Sequence, residues 1–364
     1  MKSVLIGVGQ AGGKLARELV EHDERMGFGS IRGAVAVNTA EADLRGLPFE
    51  TVLVGQDRVK GHGVGGDNEL GAELMQSDTR EVLSALDGRI SADVESIFVV
   101  AGLGGGTGSG GAPVLAKELK RIYDIPVYGL GILPGRDEGS MYQVNAGRSL
   151  KTLAREADAL LLVDNDAFRS AGESITEGFD AINEEIARRV GLLLASGEAV
   201  EGVAESVVDS SEIINTLRGG GIAALGYASA EAAPDAEENI NTVMSTTRRA
   251  LLTGSSLPDA TDADAALLIV AGEQDAIPRK GVERARRWVE EETGSLQVRG
   301  GDFPLSSGRL ATLVLLGGVE RSERLETFMQ RAKDAQEADE EAEAEEEPAD
   351  AAEMWASDDL DDLL

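Results

Sequence analysis

The sequence predicts an α/β protein: a doubly wound, mostly parallel sheet, followed by a long core helix and a second, smaller α/β domain. Three observations predict it. Short apolar runs alternate with helical patterns along most of the chain, as in strands joined by crossover helices. Three strand-to-helix junctions are rich in glycine. One stretch, Ser174 to Ser196, keeps a single apolar face through Ile175, Phe179, Ile182, Ile186, Val190 and Leu193.

In chain order, Ser3 to Ile6 is the first strand, Gly7-Val8-Gly9-Gln10-Ala11-Gly12-Gly13 its loop, and Lys14 to Val20 a helix. This is a G-x-G-x-x-G pattern after a strand. The next strand, Gly33 to Val37, ends in Asn38-Thr39, where a dinucleotide site usually has an acid for the ribose. That counts against an NAD oxidoreductase. After the strand Thr51 to Val54, a second glycine loop spans Lys60 to Gly66, and a helix runs from Gly71 to Leu86.

The central stretch follows the strand Ile97 to Val100: Ala-Gly-Leu-Gly-Gly-Gly-Thr-Gly-Ser-Gly-Gly, residues 101 to 111. Such a loop feeding a helix N-terminus directs backbone N–H groups at a phosphate. Thr107 and Ser109 add hydroxyl donors, and Pro113 suits the first turn of a helix expected over Ala112 to Leu119. Strands at Val127 to Leu133 and Ala159 to Val163 flank a helix at Met141 to Glu156. Ligands of such sheets sit beyond the carboxyl ends of the strands, so the glycine loops, Glu138 and Asn165 can converge. Ser174 with Glu177 forms a capping box at the start of the long helix, and Phe179 is core or a stacking platform.

In the second half, strands are expected at Ile222 to Tyr227, Ala266 to Ala271, Leu296 to Gly300 and Ala311 to Leu316. Helices are expected at Glu237 to Leu252, Arg279 to Glu292 and Arg321 to Gln336. Asp209 with Glu212 opens a further helix, and their spacing alone reads first as a capping box.

The net charge is −32; residues 334 to 364 hold 15 acids and no Lys or Arg, leaving −17 for the first 333 residues. Such a surface repels nucleic acid and anionic membranes. It suits a salt-rich cytoplasm that screens self-repulsion, pointing to a halophilic source. Without cysteine, signal peptide or membrane-length apolar run, the expected location is cytoplasmic. Glu337 to Ala352 is expected to be disordered, and Trp355 to Leu364, rich in leucine and acids, resembles a docking peptide for a protein partner.

Gly-Gly-Gly-Thr-Gly-Ser-Gly at 104 to 110, with two further glycine loops on one sheet, resembles the signature of the tubulin/FtsZ superfamily. The resemblance covers residues 1 to 333. It implies GTP/GDP with Mg²⁺, bound by Gly9, Gln10, Ala11 and Gly12 of the first loop, by Gly65, Gly66 and Asp67 within the matching stretch Gly63 to Asn68, and by Gly104, Gly105, Gly106, Thr107, Gly108, Ser109 and Gly110. It implies Glu138 on the ribose, and Asn165, Phe179 and Asn183 on the guanine. No protein metal ligands are assigned. Asp209 and Glu212 match the catalytic segment that each subunit offers to its neighbour's nucleotide, which shifts the reading of this pair from capping to catalysis. Val207 and Tyr142 depart from the FtsZ pattern, and the acid pair is nearer to α-tubulin. Mixed features of this kind are similar to CetZ, archaeal tubulin-like proteins linked to cell shape and motility, with an FtsZ-type division GTPase as the alternative.

The expected organisation is a GTP-binding domain over 1–173, a connecting helix over 174–196, an activation domain over 197–333 and an acidic tail over 334–364. The expected activity is a GTPase activated by head-to-tail self-assembly, with cytoplasmic filaments that can lie near the membrane without inserting. A non-polymerising GTP-binding regulator and a Rossmann NAD enzyme are the readings from other classes.

Overall fold

The computed structural model describes residues 1–168, 175–198 and 208–346. Strand β1 (Ser3–Val8) feeds α1 (Gly9–Met26); β2 (Ile31–Asn38) feeds the short α2 (Glu41–Leu44). After β3 (Glu50–Leu53) come α3 (Gln56–Val59), α4 (Asn68–Ser77) and α5 (Thr79–Ala85). β4 (Ser96–Gly102) leads to α6 (Gly106–Ile122), β5 (Val127–Leu133) to α7 (Ser140–Glu156), and β6 (Ala159–Asp164) to a 3-10 turn over Asn165–Ala167. The long helix is α8 (Ile175–Ser196). Then follow α9 (Ser210–Leu217), β7 (Ile222–Glu231), α10 (Asn239–Leu252), β8 (Asp262–Gly272), α11 (Arg279–Thr293), β9 (Gln297–Pro304), β10 (Arg309–Arg321) and α12 (Glu323–Glu346).

The strands form one ten-stranded sheet in the order β3-β2-β1-β4-β5-β6-β7-β10-β8-β9. Only β10 runs against its neighbours. The two halves join through β6 and β7, which pair at just Leu160–Ile222 and Leu161–Ala223. β1 and β4 are buried along their length, the pattern of strands covered on both faces. Val4, Ile6 and Val8 pack into the core on one face; Leu5 joins Leu15 of α1 and Ile182, Ile186, Val190 and Leu193 of α8 on the other. No helix among the described residues is long and apolar enough to cross a membrane.

Three expectations change. The helices begin inside the first and central glycine stretches rather than after them: α1 starts at Gly9 and α6 at Gly106, so Gly9, Gly12 and Gly13 and Gly106, Gly108, Gly110 and Gly111 are helical, while Leu103 to Gly105 remain a bend before α6. Pro113 therefore lies inside α6 rather than in its first turn. The helix expected over Gly71 to Leu86 is two helices. The Asp78 carboxylate accepts from the Gly55 N–H at 2.6 Å, and Asp78 leaves helical geometry with φ −102° and ψ 14°. At the carboxyl end, α12 continues to Glu346, into the stretch expected to be disordered; alanine and glutamate are strong helix formers. Ser174, Val207 and the segment Trp355 to Leu364 lie outside the described residues.

Candidate functional site

Helices α1 and α6 start side by side at the carboxyl ends of the adjacent strands β1 and β4. Gly9 takes φ 73°, and a Cβ there would stand 2.9 Å from the Gly108 N. A Cβ on Gly110 would stand 1.9 Å from the Asn68 carbonyl oxygen, so α6 packs against the start of α4 at a distance only glycine permits. Neither Val8 nor Gly105, the N-caps of α1 and α6, makes a side-chain cap, and neither helix has an acid in its first turn. The same holds for α7 after Gly139. By contrast α4 and α9 are capped by Asp67 and Asp209. Three helix N-termini without a capping carboxylate meet along one edge, which favours an anion there. Gln10 and Ala11 are exposed on that edge, and Gly105 has open space where a Cβ would be.

Around this edge side chains tie the loops together, among them Asn145 and Ser149, which sequence reasoning did not single out. Asn145 of α7 donates to the Gly66 carbonyl at 2.7 Å and the Gly104 carbonyl at 3.0 Å, joining the second glycine loop to the central one. The Thr107 and Thr39 hydroxyls pair at 2.7 Å, and the Ser109 hydroxyl donates to the Gly105 carbonyl. Both hydroxyls expected to face a phosphate are thus engaged within the protein here. Ser149 donates at 2.8 Å to the Ser109 carbonyl. That carbonyl is the one that residue 113 would bond in a regular helix, and Pro113 has no N–H to offer. Ser149 is why a proline inside α6 is tolerated. Asp67 is an exposed N-cap accepting from the Leu70 N–H at 2.9 Å.

Glu138 and Asn165 also reach this edge, after β5 and at the end of β6. Glu138 accepts from the Gly135 N–H at 2.7 Å and half-closes its loop. Asn165 is buried. Phe179 is 39% exposed, while Asn183, one turn further along α8, is half-buried. An aromatic ring this exposed is not core, which leaves the stacking reading of Phe179 standing.

Asp209 and Glu212 lie elsewhere. Asp209 caps α9, its carboxylate accepting from the Glu212 N–H at 3.1 Å. Next to it, the Ser210 hydroxyl donates to Glu95, whose other oxygen accepts from the Lys2 N–H at 2.8 Å. Lys2 and Glu95 immediately precede β1 and β4. The acid pair therefore stands at the amino ends of the strands whose carboxyl ends carry the glycine turns. β4 is seven residues long, so the two features are about 20 Å apart. Burial, and then the neighbouring Asp209 charge, pushes the Glu212 carboxyl above its ordinary value. A half-buried carboxyl so raised is a stronger base, once ionised, than an ordinary glutamate.

Of the residues expected to bind nucleotide, the structure brings the glycine turns, Glu138 and Asn165 to one edge. It places the acid pair at the other. Asn145 and Ser149 share a helical face at i, i+4, which in sequence reads only as a polar stripe; Arg324, described below, carries no local signal at all.

Fold and site together define a protein of the tubulin/FtsZ class. Residues 2–172 match the Tubulin/FtsZ family, GTPase domain, and residues 172–334 match the Tubulin-like CetZ, C-terminal domain. The chain is 76% identical over 365 residues to the tubulin-like protein CetZ2 of Haloferax volcanii, covering 100% of both. It is similar to the solved GTPγS-bound protofilament of Haloferax volcanii CetZ2, with TM-score 0.91 and 76% identity over 93% of this chain and 100% of that one. It is also similar to the GDP-bound monomer of CetZ1 from the same organism, with TM-score 0.85 and 51% identity over 92% and 100%. The chain belongs to the CetZ family of tubulin-like proteins.

Proposed function

We propose that this protein binds GTP at the edge carrying the uncapped starts of α1 and α6, and that it hydrolyses GTP at the joint between two subunits stacked head to tail. The separation of about 20 Å between the glycine turns and the acid pair carries this reading. One chain cannot bring Glu212 to its own phosphates, whereas a second copy stacked along the strand direction can. Such a heterologous contact repeats without closing and gives a filament. The bound states named for the Haloferax relatives, a GTPγS protofilament and a GDP monomer, support it.

The backbone N–H groups of Gly9 to Gly12 and of Gly105 to Gly108 would hold the phosphates and stabilise charge developing on the γ-phosphoryl group. Mg²⁺, held largely by phosphate oxygens and water, would supply further neutralisation. Glu138 would contact the ribose, and Asn165, Asn183 and Phe179 the base. Asp209 and Glu212 of the next subunit would orient the attacking water, with Glu212 taking its proton. Assembly would switch on turnover, and loss of the γ-phosphate would weaken the joint. The cellular role we propose is control of cell shape or motility by cytoplasmic filaments, with Trp355 to Leu364 recruiting a protein partner. Light scattering and phosphate release in molar KCl with Mg²⁺ test this: GTP should produce both, ATP neither.

A further inference from the structure

Asn165 is bracketed by two carboxylates, and one guanidinium from the far end of the chain holds both. Arg324, in the first turn of α12, donates to Asp164 through Nε and Nη2, the latter at 3.2 Å, and through Nη2 to Asp166. Asp164 also accepts from the Asp166 N–H at 3.1 Å, closing a turn around Asn165. Asp166 in turn accepts from the Arg136 backbone N–H at 3.2 Å and from its Nε at 3.1 Å. Arg136 is two residues before Glu138, in the loop proposed to hold the ribose. The side chains of Asp164, Asp166 and Arg324 are 1%, 9% and 13% exposed.

We infer that Arg324 is a positioning residue for nucleotide recognition, fixing Asn165 and the Arg136-to-Glu138 loop in one geometry from the C-terminal half of the molecule. This rests on the proposed roles of Asn165 and Glu138. Stability alone is a weak reason for such a cluster: a buried ion pair is commonly no better than apolar residues of the same volume, and its best-attested use is to fix a register. What the cluster fixes is plain from its members. The Asp164 carboxylate and the Asp166 N–H close a turn over Asn165. Arg136 joins the two loops, and Arg324 reaches both carboxylates. The planar fork of arginine suits two acceptors at once, whereas a lysine offers a single point charge. The clamp crosses between the regions matched by the two families, residues 2–172 and 172–334, so a shift of α12 against the sheet would be felt at the base. Buried pairs are little screened, so the clamp persists in molar salt.

The test is equilibrium binding of GTP, of inosine triphosphate (which lacks the exocyclic 2-amino group) and of ATP to the full chain, comparing wild type with Arg324→Ala and Arg324→Lys. Outer partners that orient the ligands of metal sites contribute about 10- to 100-fold, and Arg324 would act on Asn165 in the same indirect way. Arg324→Ala should lose about that much GTP affinity, and its preference for GTP over inosine triphosphate should fall towards unity. Arg324→Lys should lie between, and it carries the test if the alanine variant does not fold. Equal losses for all three nucleotides would reduce Arg324 to a structural support, and affinities within about twofold of wild type would overturn the inference. Wild-type protein that binds GTP no better than ATP would instead remove the base-site reading on which the clamp rests.

Discussion

Replacing Glu212 by Gln separates binding from hydrolysis more cleanly than any other change in this molecule. The substitution keeps the volume of the side chain and the Glu212 N–H that Asp209 caps at 3.1 Å, so α9 should stay in place. It removes the one acid of the pair that burial and Asp209 hold above its ordinary value. A positioned general base is worth about 10²- to 10⁴-fold in rate, or about 3 to 5 kcal/mol of barrier. Because Glu212 is about 20 Å from the glycine turns of its own chain, GTP affinity of the unassembled protein should not change. The assay is phosphate release under saturating GTP, with nucleotide affinity measured below the assembly threshold and polymer mass by sedimentation. Turnover should fall by at least about a hundredfold, affinity should hold within twofold, and polymers should persist longer after GTP is limited. Wild-type turnover, or a parallel loss of GTP affinity in the monomer, would refute the placement of Glu212 at a neighbour's phosphate. Asp209→Ala is a poorer probe, since it also removes an N-cap, at about 1 kcal/mol.

Two further outcomes follow from the same geometry. Glu212 must be unprotonated to accept a proton, so its raised value moves the acid limb of the turnover–pH profile up from where an ordinary glutamate would put it; Asp209→Asn, which keeps the cap but removes the charge, should shift that limb down, and an unshifted profile would exclude Glu212 as the titrating base. Ser149→Ala leaves the Ser109 carbonyl beneath Pro113 without its donor, costing about 1 to 3 kcal/mol in thermal or chaotrope unfolding; adding Pro113→Ala, which supplies an N–H, should recover most of it, and additive losses would contradict the account.

Much of this was legible in the sequence because the strongest signals are local. Glycine at 104, 105, 106, 108 and 110 marks a backbone packed against other backbone, and the Gly110 Cβ position, 1.9 Å from the Asn68 oxygen, shows why. The apolar run Ile97 to Val100 announces a strand buried on both faces. What misled was phase. Glycine reads as loop, yet here it begins α1 and α6, since uncapped first turns are what an anion site needs. Pro113 reads as a helix start, yet it sits mid-helix because Ser149, far along the chain, bonds the carbonyl it abandons. The acidic tail reads as disordered from its charge, whereas its alanines and glutamates carry α12 to Glu346. Contacts such as Arg324 with Asp164, or Glu95 with Ser210, join residues more than a hundred positions apart, and no spacing rule reaches that far.

The central claim is that one subunit supplies nucleotide and its neighbour supplies the acids. Phosphate release per subunit, measured against protein concentration in molar KCl with Mg²⁺ and saturating GTP, tests it most directly. A shared site predicts negligible turnover at high dilution and a rise, together with light scattering, above a threshold concentration. Turnover per subunit that is the same at every concentration would mean that each chain completes its own site, and would contradict the account.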